Sequence, residues 1–173
     1  MSRLVNFYRG EAKDTEGRSL GQILAWDDDD LEAVHDFIQW LFPLPEPSRF
    51  NADAPLLTSE DIREFKSNPL LQANLGKSFR RILTFLGLAM TESGQVAEGP
   101  NFAARVAEVW ASPNHNWLRI TRILRSLTLL GLVAEGRALY DLLAGFYRGK
   151  RFPISADTFR YWTGAVESEA PSS

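Results

Sequence analysis

The run HNWLRITRILRSLTLLG, residues 115–131, does most to limit what this chain can fold into. Placed at 100° per residue, Trp117, Ile120, Ile123, Leu124, Leu127 and Leu130 fall on one arc of a helix. Gly131 supplies a C-terminal stop. Arg119, Arg122 and Arg125 stand on the opposite side, spread over about 9 Å of axis. Leu118 and Leu129 lie between them. A fully wet face rarely mixes leucine with arginine in this way. The helix is therefore expected to be central, with at least one arginine partly buried and needing a carboxylate partner. Asp28, Asp29, Asp30, Glu32, Asp36 and Glu46 are the candidates.

The same period runs through most of the chain, and no convincing strand alternation appears. Ser19 caps an expected short helix at LGQILAW. Thr58 and Asp61, three apart, resemble a capping box opening a helix through Phe65. Pro69 stands in the first turn of a long helix. FAARVAEVWA and GRALYDLLAGFYRGKR read as helices, and Ser155 or Asp157 caps a last one through Trp162. TESGQVAEGPN and RFNADAPLL read as loops. The expected architecture is all-α, a single domain over 1–173 with about seven or eight helices. Its core spans roughly 6–164, and 165–173 form a flexible tail.

The segment WDDDDLEAVHDFIQWLFPLPEP predicts a further helix starting near Asp28 and analysed over Asp30–Phe42. Its acidic run suits the positive end of the helix dipole, and three prolines end it. Leu31, Val34, Phe37, Ile38, Leu41 and Phe42 form the apolar arc. His35 and Gln39 sit one turn apart on its edge, and Trp40 falls nearly opposite its centre. Each has two readings. Trp40 is a second packing face or a pocket wall. His35 is a core-edge histidine or a ligand or acid/base group. Gln39 caps a backbone group or pairs with a ligand amide. His115 and Asn116, at the start of the other helix, read as capping residues or binding residues.

Composition removes several classes. There is no cysteine, so thiol chemistry, disulfides and zinc–thiolate sites are excluded. With only two histidines and no acidic cluster at ligand spacing, no metal and no cofactor is expected. The net charge of −3 disfavours a nucleic-acid partner. No phosphate-loop, dinucleotide or nucleophile-elbow motif is present. The apolar runs fall short of the roughly 20 residues of a membrane span, so a cytoplasmic chain is expected. Oligomeric state is left open.

FYRG near the start, LAWDDDDLEAVHDFIQWLFPLPEPSRFNADAPLLT and HNWLRITRILRSLTLLGL together resemble the conserved region of the opioid growth factor receptor family. The likeness covers about residues 6–164, and Phe37 departs from the tyrosine expected in the animal motif. The resemblance implies an all-α domain and a receptor for an enkephalin-type peptide, associated with nuclear or other membranes in animals. The chain resembles the compact, stand-alone microbial members, and the resemblance implies no catalytic residues. The leading expectation is a binding module. A cleft between the 30–42 and 115–130 helices would hold a peptide or small anionic ligand, using His35, Gln39, Trp40, His115, Asn116, Arg119 and Arg122. The alternatives are an enzyme using His35 or His115 as general acid or base, and a protein-interaction scaffold in which Trp40 and Trp117 only pack.

Overall fold

The computed structural model describes residues 1–168. The described chain forms two compact units, Met1–Ser78 and the residues from Phe79 onward. It is mostly helical, as expected, with ten α-helices among the described residues and one two-stranded hairpin.

The first unit opens with α1 (Arg3–Arg9), capped by the Ser2 hydroxyl and closed by Gly10 at φ 81°. The sequence reading did not place this helix. α2 (Leu20–Leu24) carries the full Ser19/Gln22 capping box. Asp27 caps α3 (Asp28–Ala33), and Asp28, Asp29 and Asp30 fill its first turn. α4 is short, Ile38–Leu41. A long connection follows, pinched by a parallel bridge between Leu44 and Leu56. The reciprocal Thr58/Asp61 box then opens α5 (Ser59–Ser67). α6 (Pro69–Phe85) runs through the division between the units.

The expected continuous helix over Asp30–Phe42 is broken. Val34 is extended, at φ −92° and ψ 129°, so α3 stops and α4 starts in a new direction. The reason lies in the wheel itself. A straight helix would bury one arc and leave Trp40 wet. The break lets Leu31, Phe37, Trp40, Leu41 and Phe42 all be buried. Asp36, in the bend, pairs with Arg18 at 2.9 Å, and Arg18 also holds buried Asp14 at 2.7 Å. One turn of continuous helix therefore does not link His35 to Gln39.

The second unit includes a hairpin whose second strand falls where the sequence suggested only loop. β1 (Leu88–Met90) pairs antiparallel with β2 (Val96–Glu98), Met90 opposite Val96. α7 (Phe102–Arg105) continues into a π-helical stretch, Val106–Trp110. Here Arg105 Nε donates to the Phe85 carbonyl (2.7 Å) and Trp110 Nε1 to Leu86 (2.9 Å). α8 is His115–Leu130, ended by Gly131 at φ 100°. α9 is Val133–Arg148 and α10 is Ala156–Val166, capped by Ser155. α8, α9 and α10 pack against one another around Ile120, Ile123, Leu124, Leu127, Leu139, Leu143 and Trp162. Of the expected tail, residues 165–166 end α10, and 169–173 lie outside the described residues.

No described helix is long and apolar enough to cross a membrane.

Candidate functional site

His35 is exposed in the bend between α3 and α4, while Gln39 and Trp40 are 3% and 2% exposed. Trp40 packs on Phe7 with ring centroids 5.2 Å apart, and the Arg3 guanidinium stands 5.8 Å from its ring centre. The packing reading of Trp40 is therefore correct for its ring. Its polar atom has another status. Trp40 Nε1 and the neighbouring Gln39 Oε1 are both buried without a hydrogen-bond partner. One is a donor and the other an acceptor. An unmet buried group costs about 1–3 kcal/mol, so such atoms are rare in native folds.

Arg9 Nε and Arg18 Nη2 of the same unit are also buried without a partner, whereas other polar groups nearby are satisfied. Tyr8, fully buried, donates its hydroxyl to the Leu41 carbonyl, and its oxygen accepts from Ser78 Oγ (3.1 Å). Burial pushes its phenol well above the ordinary range, opposed by the bond to Ser78. Asn74 Nδ2 donates to the Tyr8 carbonyl at 2.7 Å. Arg18 is raised as well: desolvation lowers it, but the bonds and charges of Asp14 and Asp36 outweigh this.

On α8 the cap is Asn114, whose side chain accepts from the Asn116 amide at 2.9 Å. The capping role suggested for His115 and Asn116 therefore belongs to the residue before them. Asn116 is buried, and its Oδ1 accepts from Arg119 Nη1 at 3.3 Å. Arg119 is buried as expected of at least one arginine here, with its guanidinium 6.0 Å from the Phe85 ring centre. Arg119, Arg122 and Arg125 all have partners, as do His35 and His115. Trp117 Nε1 donates to the Val109 carbonyl at 2.7 Å, and its ring packs edge-on to Trp162. It is a packing residue.

The structure thus groups His35, Gln39 and Trp40 in the first unit, and His115, Asn116, Arg119 and Arg122 on α8 of the second. The sequence reading passed over Tyr8, Asp14 and Arg18. Their spacing carries no motif, and their roles come from contacts between distant segments.

Comparison with known proteins gives one consistent result. Residues 3–170 match the family described as the opioid growth factor receptor (OGFr) conserved region. The chain is 40% identical over 135 residues to the opioid growth factor receptor of Homo sapiens, covering 74% of this chain and 20% of that protein. It is 39% identical over 120 residues to opioid growth factor receptor-like protein 1 of Xenopus tropicalis, covering 67% of this chain and 23% of that one. The chain spans about a fifth of the length of the curated relatives it matches. No solved structure matches it.

Proposed function

Since the chain belongs to the opioid growth factor receptor conserved-region family, we propose that it is a receptor-like binding module for a peptide, held at Gln39 and Trp40 with His35 at the rim. The observation that carries this is the buried pair of unmet atoms, Gln39 Oε1 and Trp40 Nε1. A peptide group is their chemical complement. Its N–H donates to the glutamine oxygen and its C=O accepts from the indole. Both bonds form in a low-dielectric setting, where an unpaired group is most costly and a paired one most useful. Binding requires the α3–α4 bend to open at His35 and Asp36, between the Val34 N–H bonded to the Asp30 carbonyl and the Phe37 carbonyl that accepts from Trp40 and Leu41.

Calorimetric titration with an enkephalin-type peptide tests the proposal on the intact chain and on Gln39→Leu. Leucine keeps the approximate volume and removes the unmet acceptor. The variant is expected to be more stable by about 1 kcal/mol, because an uncompensated buried group is gone. It is also expected to bind roughly tenfold or more weakly. A stabilised variant with unchanged affinity would show that the pair is only a packing feature, as the scaffold alternative holds.

A further inference from the structure

The second unit contains a groove that the family match does not explain. It has a volume of about 470 Å³ and lies between the β1–β2 turn and α9. That is within the range of small-ligand sites, about 300–1,000 Å³. Gln95 and Val96 form one wall, and Arg137, Ala138, Asp141 and Leu142 form the other. Ala134 and Ala138 add apolar surface to the α9 wall, which also carries the two charges.

Arg137 and Asp141 are four residues apart on one helix, yet they do not form an ion pair. The Asp141 side chain has no hydrogen bond or ion pair among the described residues, and that of Arg137 has only a ring contact. Their order explains part of this, since the pairing is weaker with the cation on the N-terminal side. The arginine is also held elsewhere. Its guanidinium stands 5.4 Å from the Tyr140 ring centre, while Tyr140 stacks on Phe159 at 5.6 Å and 17° and bonds Thr163 at 2.8 Å. The cation is thus braced from behind.

The hairpin supplies the third element. Thr91 and Gln95 are joined by a backbone bond (2.7 Å), as are Gly87 and Gly99 (2.8 Å). Bonded pairs alternate with unbonded ones in an antiparallel ladder. Val96, opposite Met90, is in an unbonded pair. Its N–H and C=O therefore turn away from β1, as at a sheet edge open to strand addition.

We propose that this groove binds a short peptide with free termini, its amine on Asp141 and its carboxylate on Arg137, with Val96 pairing the backbone between them. The spacing sets the length. Four helical residues rise about 6 Å, and an extended peptide advances about 3.3–3.6 Å per residue. Two or three residues span the pair.

This site is separate from Gln39 and Trp40, and its test reads separately. Trialanine, its N-acetylated form and its C-amidated form are titrated calorimetrically into the intact chain, Asp141→Asn and Arg137→Gln. Both substituted charges are on exposed side chains. Trialanine is expected to bind. N-acetylation and Asp141→Asn should each weaken it about tenfold, the scale of one charge-assisted bond. The two losses should not add, since both remove the same contact. C-amidation and Arg137→Gln should behave as a second such pair. An absence of binding by trialanine would overturn the proposal. So would equal affinity for free and blocked peptides, or charge variants that bind as the parent does.

Discussion

Tyr8 shows how one side chain in the first unit couples stability to pH. Its phenol is fully buried and raised well above its ordinary value, near 10. A group raised in the folded state contributes stability that is whole below its unfolded value and is lost as pH climbs toward the folded one. The folded chain should therefore weaken above about pH 10. Tyr8→Phe removes that alkaline limb. It also leaves the Leu41 carbonyl unmet, at a cost of about 1–3 kcal/mol near neutrality. Thermal unfolding of the two proteins between neutral and alkaline pH checks this. Parallel loss in both would place the alkaline weakness elsewhere. None of it was legible in FYRG, because the hydroxyl's partners, Leu41 and Ser78, are far along the chain.

The caps and stops show which elements the sequence makes legible. Ser19 with Gln22 and Thr58 with Asp61 act within four residues, and each structure matches its sequence signal. Gly131 does the same at the end of α8. What failed was local periodicity under tertiary demand. The Asp30–Phe42 run has good helical spacing, but Trp40 lies opposite its apolar arc, and burying both sides broke the helix at Val34. The hairpin was missed because three-residue strands are too short for alternation to show. Its tight entry rests on Gly87, at φ 81°, where a Cβ would come 3.0 Å from the Phe102 Cα and 3.1 Å from the Arg105 Cβ. Gly87→Ala combines a disfavoured backbone with that crowding. It is expected to lower stability by about 2 kcal/mol or more, measured by urea unfolding. A loss within a few tenths of a kcal/mol would mean that the turn relaxes freely.

For the whole molecule, the family was legible because its motif segments are long and occur in order. The match across residues 3–170 reflects the same residues that carried the resemblance. The candidate site was only partly legible. Gln39 and Trp40 were visible as misfits in an apolar helix, but only the fold shows that their polar atoms are both buried and unmet. Arg137 and Asp141 carry no motif, and the hairpin that makes them part of a groove has no sequence signature. The proposed peptide site rests on two buried polar atoms of the first unit, Gln39 Oε1 and Trp40 Nε1, that lack a partner.

The most direct measurement is the indole N–H of Trp40 in a nitrogen–proton correlation spectrum. It is identified among the five tryptophans by its absence in Trp40→Phe. The indole is expected to show no hydrogen bond in the free chain, and to shift downfield and gain exchange protection when an enkephalin-type peptide is added. An indole signal already protected in the free chain, and unmoved by peptide, would contradict the proposal.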